Sequence, residues 1–361
     1  MDNSYKINDN RNIKFFSKKT FCGLLITDSF QNLKKYILKE PNFNKALFCA
    51  LDLLSSGKCD KLMQTLIMIY CKNINTKNPS FPLLFYNRYA YFIRLREYYN
   101  DILKGDKSIE LLYRNDQGIR NCITEMVFVL INGINGINGI KNKGNLSLPS
   151  IKTAPDKTVG ILNFTEDYVQ HGDSYEVSLA LNEFINHHRN NEIKKGMIWI
   201  SWLIQVEKLK LKKKEGIFIV PRNISGVMSK YCSDFLFLFW EYTINAAQKK
   251  DAQTLKQVQS LYSFYRYNFN PKSRKIYLLI TAIQFTTDFY NVNKPITSDY
   301  HNLVKSIMSI NLIIKQFKKY EKTVLEEELE KIKKPKTNLD KKLEMQNKID
   351  LMLLQKTVTK I

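Results

Sequence analysis

Apolar residues recur every three or four positions along most of the chain, the spacing of helices that bury one face. Asp28 and Ser29 stand where they could cap a helix running through Phe30, Leu33, Lys34 and Ile37. That helix must stop before Pro41, because proline disfavours helical backbone in the residue ahead of it. After Asn44 a second stripe, Ala46, Leu47, Ala50, Leu51 and Leu54, runs to Gly57, a residue suited to the left-handed turn that ends helices. A third helix starts near Asp60 and carries Leu62, Leu66, Ile69 and Tyr70 until Asn78, Pro79 and Pro82 break the pattern. The second and third helices predict a hairpin with a very short turn.

The same arrangement returns twice. In residues 176–207, Leu179, Leu181 and Phe184 lead to a polar turn at Asn190 and Asn191, followed by Ile198, Trp202 and Leu203. In residues 233–268, Phe237, Trp240, Ile244 and Ala247 lead to a turn near Asp251, then Leu255, Val258 and Leu261. Residues 216–221, Gly-Ile-Phe-Ile-Val-Pro, are the one β-branched run, and a lone extended run makes no sheet. The expectation is an all-α protein of helical hairpins packed as a repeat-like or collar-like body, with little or no sheet.

Residues 132–160 open with Asn-Gly-Ile repeats and have no helical period, which reads as a low-complexity linker or insertion. It divides an N-terminal helical domain, residues 1–131, from a C-terminal one, residues 161–335. Residues 336–361 read as a basic amphipathic tail helix through Leu339, Leu343, Ile349 and Leu353.

Two aromatic segments stand out. Phe85, Tyr89, Phe92 and Tyr99 share one side of a helix, which most simply means core packing, with Arg88, Arg94 and Arg96 around the rest; exposed rings stacking on unpaired bases are the alternative. Tyr262, Phe264, Tyr265, Tyr267 and Phe269 are too closely spaced for one face, so some should meet solvent or a partner.

Charge adds to this picture. The chain carries 56 Lys and Arg against 34 Asp and Glu, a formal net charge of +22 spread over its length. Such a surplus favours polyanionic partners, nucleic acid first. Codon drift toward lysine explains why Lys outnumbers Arg better than it explains the surplus itself. The candidate nucleic-acid contacts are Lys208, Lys210, Lys212, Lys213 and Lys214; Lys249, Lys250 and Lys256; and Tyr265, Arg266, Tyr267, Lys272, Arg274 and Lys275. Both basic runs are expected to line one phosphate-tracking surface, with the aromatics stacking on unpaired bases.

Catalytic signatures do not emerge, although residues distant in sequence could still assemble an active site, a third and weaker alternative. Residues 105–108, Gly-Asp-Lys-Ser, carry only the tail of a phosphate-binding loop, and no cysteine or serine stands in a nucleophile motif. Glu183 and His187, four apart, could share a helix face near His171 and Asp173, but histidine beside a polar turn is ordinarily solvent-exposed. No metal or cofactor is assigned. Six scattered cysteines without paired spacing suit a reducing compartment, and residues 1–12 lack the apolar stretch of a signal peptide. With no segment long and apolar enough to span a bilayer, an intracellular protein is expected, cytoplasmic or nuclear; Lys333, Lys334, Pro335 and Lys336 could serve as a nuclear address.

Residues 45–74, KALFCALDLLSSGKCDKLMQTLIMIYCKNI, resemble a helical hairpin in the C-terminal region of clamp-loader-related AAA+ proteins of the MgsA/RarA type. The likeness rests on the alanine-leucine helix, the turn at Ser56 and Gly57, and the apolar second helix. It departs at Lys72 and Asn73, where that family tends to place an acidic pair, and the family's ATPase module is absent. The resemblance implies a collar-like helical subunit of replication or repair without nucleotide hydrolysis. The reading that follows is a non-enzymatic helical scaffold or accessory subunit contacting nucleic acid through Lys-rich surfaces. Its rival is a structural or protein-interaction module with no nucleic-acid role, a member of a protein complex whose lysines only keep it soluble.

Overall fold

The computed structural model describes residues 5–9, 11–103, 109–135, 148–149, 155, 167–321, 342–343 and 345–347. Within them the protein is all-α, with thirteen helices: α1 Ile26–Leu38, α2 Phe43–Ser55, α3 Cys59–Asn73, α4 Phe81–Leu103, α5 Ile109–Leu112, α6 Gln117–Asn135, α7 Tyr175–Arg189, α8 Ile193–Lys212, α9 Leu236–Lys250, α10 Ala252–Tyr267, α11 Ile276–Thr287, α12 Tyr300–Met308 and α13 Ile310–Phe317. The β pairing among the described residues is one isolated antiparallel bridge between Lys19 and Leu25. The extended run of residues 216–220 forms no strand. It is tied to a loop instead: Ser174 N donates to Phe218 O at 2.8 Å and Val220 N donates to an Asp173 carboxylate oxygen at 2.7 Å.

The chain forms two compact units, each drawn from segments distant in sequence. The first comprises Met1–Tyr70, Asn87–Gly139 and Ile296–Ile361, the second Cys71–Tyr86 and Ile140–Pro295. Helices α3 and α4 place residues in both.

In the first unit α1 packs on α2, and α1, α2, α12 and α13 all pack on α6. Helix α2 is apolar nearly all round, and every residue from Ala46 to Ser55 is buried, as such a helix requires. Asn42 caps it by accepting from Lys45 N, and its far end closes with Gly57 at φ +68° while Lys58 N bonds back to Leu53 O at 3.0 Å. Helix α1 starts at Ile26, ahead of the expected caps Asp28 and Ser29. The Lys19 and Leu25 bridge and a bond from Ile26 N to Lys18 O at 3.0 Å set the chain's approach, which leaves Asp28 in the first turn. The N-terminal segment is held by side chains around the start of α6. Asn115 pairs with both backbone groups of Ile7, Arg120 donates to Tyr5 O at 3.1 Å, and Arg114 donates to Asp9 O.

In the second unit α7 and α8 form one hairpin, and α9, α10 and α11 run up, down and up against each other. Asn191, at φ +57°, turns the chain between α7 and α8, and Gly196 lets α8 approach Phe184 closely, since a Cβ there would sit 3.1 Å from its ring. Asp251 caps α10 by accepting from Thr254 N at 2.7 Å. Trp240 and Tyr265 pack ring to ring in the core, with centroids 5.1 Å apart.

Of the first aromatic segment, Phe85, Tyr89 and Phe92 are buried and Tyr99 half-buried, as the spacing predicts. Helix α6 continues through Asn135, so the first Asn-Gly-Ile unit is helical rather than linker. Residues 105–108, the remainder of 132–160 apart from 148–149 and 155, and the tail 336–361 apart from 342–343 and 345–347 lie outside the described residues, as do Lys333, Lys334, Pro335 and Lys336.

Candidate nucleic-acid interface

Helix α8 buries Met197, Trp199, Ile200 and Leu203, and after Glu207 its side chains turn outward. Lys208, Lys212, Lys213 and Lys214 are exposed and have no ion-pair partner among the described residues. Lys210 differs, because its Nζ lies 2.6 Å from a Glu176 carboxylate oxygen. The helix ends with Lys214 at φ +61°, Lys214 N donating to Leu211 O at 3.1 Å and Glu215 N to Lys210 O at 2.9 Å. That closure favours glycine, and lysine in its place costs roughly 1 kcal/mol of backbone strain.

Just beyond, Phe218 is 66% exposed yet fixed at its backbone, its N donating to Ser174 Oγ at 2.8 Å and its O accepting from Ser174 N at 2.8 Å. Its ring lies over Gly216, where a Cβ would sit 2.6 Å from the ring. Neighbouring Asp173 is pinned by Arg222 at 2.6 Å, in a pair almost closed to solvent. An exposed ring on a fixed backbone, a few residues from four lysines without an ion-pair partner among the described residues, can stack on a base while the ammonium groups meet phosphates. Residue types alone do not single out Phe218, since the β-branched run of residues 216–221 reads only as a short extended segment. The glycine two residues before it was the available signal.

The remaining candidates divide. Tyr265 is 1% exposed against Trp240, Phe237 and Phe269, so its ring cannot reach a base. Helix α10 packs on both α9 and α11, which buries two of its faces and absorbs more of the aromatic run than a one-sided helix would. Tyr267 alone in that run is exposed, at 49%, while Tyr262 and Phe269 are half-buried. Arg266 lies over the Tyr262 ring and donates to Ser225 O at 3.3 Å. Arg274 is consumed internally: it holds Glu207 through both terminal nitrogens and Asp234 through Nε at 2.6 Å, all largely buried. Lys275 Nζ donates to Asn268 O at 2.6 Å, and Lys272 lies in the turn Pro271–Ser273.

Lys249, Lys250 and Lys256 sit at the other end of the bundle. Because α9 and α10 run antiparallel, the turn that joins them is a helix length, roughly 22 Å, from the end holding Arg274 and Glu207. There Lys250 Nζ donates to Phe285 O and Asp288 O at 2.9 and 2.6 Å and lies over the Tyr290 ring, while Lys249 and Lys256 are exposed. The two basic runs therefore occupy opposite ends of α9 and α10 rather than one cluster.

His187 is buried, not exposed as a turn histidine would be. Its Nδ1 lies 2.9 Å from Glu192, and Glu183 stands 4.0 Å from Nε2. Among the described residues no group of three or more His, Cys, Asp or Glu side chains could hold a metal ion. His188 Nδ1 faces Tyr242 Oη at 2.9 Å and Nε2 faces Thr286 Oγ1 at 2.8 Å, which itself donates to Ile283 O. That chain ends on a backbone carbonyl and leaves neither ring nitrogen free. All six cysteines are buried free thiols, and burial pushes Cys71 up to about 12 and Cys122 up to about 11, far from a reactive thiolate. No helix among the described residues is long and apolar enough to cross a membrane.

Compared with known protein families, with curated proteins and with solved structures, the chain matches none.

Proposed function

We propose that this protein is a non-enzymatic helical scaffold or accessory subunit that contacts single-stranded nucleic acid through the C-terminal end of α8. The observation that carries the reading is the group of exposed lysines Lys208, Lys212, Lys213 and Lys214, with no ion-pair partner among the described residues, followed by the exposed, backbone-fixed Phe218. The four lysines carry more positive charge than the helix end itself attracts. The negative pole of a helix amounts to roughly half an electronic charge, which one lysine more than offsets. The remaining positive charge faces water, where counterions condensed on a nucleic-acid backbone are released on binding. The exposed ring favours unpaired strands over duplex, since stacked bases offer no free face. A place in replication or repair follows from the resemblance of residues 45–74 to the clamp-loader-related hairpin. Lys249 and Lys256 form a second, weaker contact on the same strand.

The test compares the wild-type chain with a variant carrying Gln at Lys208, Lys212, Lys213 and Lys214, by fluorescence anisotropy of a labelled oligothymidylate at low salt. The variant keeps its melting temperature, because none of these side chains is buried, and binds at least about tenfold more weakly. Equal binding by the two chains would remove the α8 end from the interface.

A further inference from the structure

Tyr300, Val304, Met308 and Leu312 are 55%, 54%, 76% and 56% exposed. They fall at four-residue spacing on α12 and α13, which follow each other with only Ser309 between. Residues at that spacing form a ridge on a helix surface: α12 carries Tyr300, Val304 and Met308, and Leu312 follows on α13 beyond the turn at Ser309. The ridge is not the face that holds these helices in place. Leu303, Ile310, Ile313, Ile314 and Phe317 are buried, and both helices pack on α6. A helix pair anchored along one side and apolar along another presents more oily surface than folding uses.

Among the described residues of α12 and α13 the charge has one sign. Lys305 and Lys315 are exposed along it, and neither helix contains Asp or Glu. The acid just ahead, Asp299, is occupied in capping α12, accepting from Asn302 N at 3.3 Å. Four-spaced ridges pack into the matching grooves of another helix, and lysines at the border select carboxylates on that helix.

We propose that the ridge of α12 and α13 is the docking surface for an acidic amphipathic helix of a partner protein. Tyr300 and Met308 supply the anchoring area and Lys305 and Lys315 set the sign of the partner. This surface belongs to the first unit, and the proposal stands independently of nucleic-acid contact at α8. A second copy of this chain is the poorer occupant, because its own ridge brings lysine against lysine.

The probe is a synthetic helical peptide of roughly four turns with leucine at four- and three-residue spacing, bordered by glutamate, labelled and followed by anisotropy against the full chain. A matched peptide with lysine for glutamate tests the charge, and the double variant Val304→Asp, Met308→Asp tests the ridge. Both positions are more than half exposed, so the variant keeps the wild-type circular dichroism and melting temperature. The expected result is saturable binding of the acidic peptide, weakened at least about tenfold by either change. Failure of the acidic peptide to bind, or equal binding of the two peptides, overturns the proposal. So does a wild-type dimer in light scattering that the double variant makes monomeric, which would assign the ridge to a second copy, or binding to anionic vesicles in place of the peptide.

Discussion

Arg274 shows how a residue type can mislead where its geometry does not. As a cation in a basic, aromatic stretch it belongs with phosphate contacts; folded, it bridges Glu207 on α8 and Asp234 ahead of α9, with its side chain 16% exposed. Replacing it with methionine strands two carboxylates in a largely closed pocket, an arrangement that typically costs roughly 3–5 kcal/mol. Arg274→Met should therefore lower the urea midpoint sharply, while oligonucleotide affinity, measured where the variant remains folded, stays near wild type. A selective loss of affinity with unchanged stability would return Arg274 to the interface. His188 makes a second residue-scale prediction. Burial, with help from Arg189 and Lys250, pulls its pKa down to about 4 from an ordinary value near 6.5. As pH falls through about 6.5 the unfolded chain takes up a proton that the folded chain refuses until about 4, so stability is present above that window and is lost within it. The loss approaches roughly 3 kcal/mol at the lower end. Urea titrations at neutral pH and near pH 4.5 should show a smaller drop for His188→Gln than for wild type, and equal drops would deny the linkage.

Helices were the most legible level of this protein. The Gly57 turn, the end of α1 ahead of Pro41 and the turns at Asn190 and Asp251 follow from local backbone preferences that tertiary structure did not override. Helix starts were less legible, since α1 begins at Ile26 through pairing of Lys19 with Leu25, a contact that no capping rule contains. The fate of the 262–269 aromatics was also hidden, because it depends on α10 having neighbours on two sides. Of the candidate site, the free lysines at the end of α8 were legible as a charge run. What separated them from Lys210, Lys250 and Arg274 was the position of partners distant in sequence: Glu176, the carbonyls of Phe285 and Asp288, and Glu207. The α8 terminus carries its own prediction. Lys214 holds a left-handed conformation at φ +61° that glycine adopts without strain. Lys214→Gly should raise stability by roughly 0.5–1 kcal/mol while weakening oligonucleotide binding. Stability and affinity moving in the same direction would contradict the assignment of Lys214 to binding rather than to the fold.

At the scale of the whole chain, the units are built from non-consecutive segments, and residues after Ile296 belong with the N-terminal helices. A polar, glycine-bearing stretch marks a boundary along the sequence, but which distant helices share a core is set by tertiary packing that local pattern does not encode. Net charge behaves differently. The surplus of +22 is a property of composition and was visible at once, but composition does not say which lysines are free. Under the proposed function the decisive ones stand at the end of α8, and their signature is thermodynamic: each phosphate that a lysine neutralises releases condensed counterions, so the logarithm of the binding constant falls linearly with the logarithm of salt. The most direct measurement is that slope for oligothymidylate between about 50 and 200 mM monovalent salt, for the wild-type chain and for the variant with Gln at Lys208, Lys212, Lys213 and Lys214. The predicted result is a steep wild-type dependence that the four substitutions make shallower by about 3, near 0.7 for each lysine on a single strand. A wild-type affinity indifferent to salt, or a slope that the substitutions leave unchanged, would contradict it.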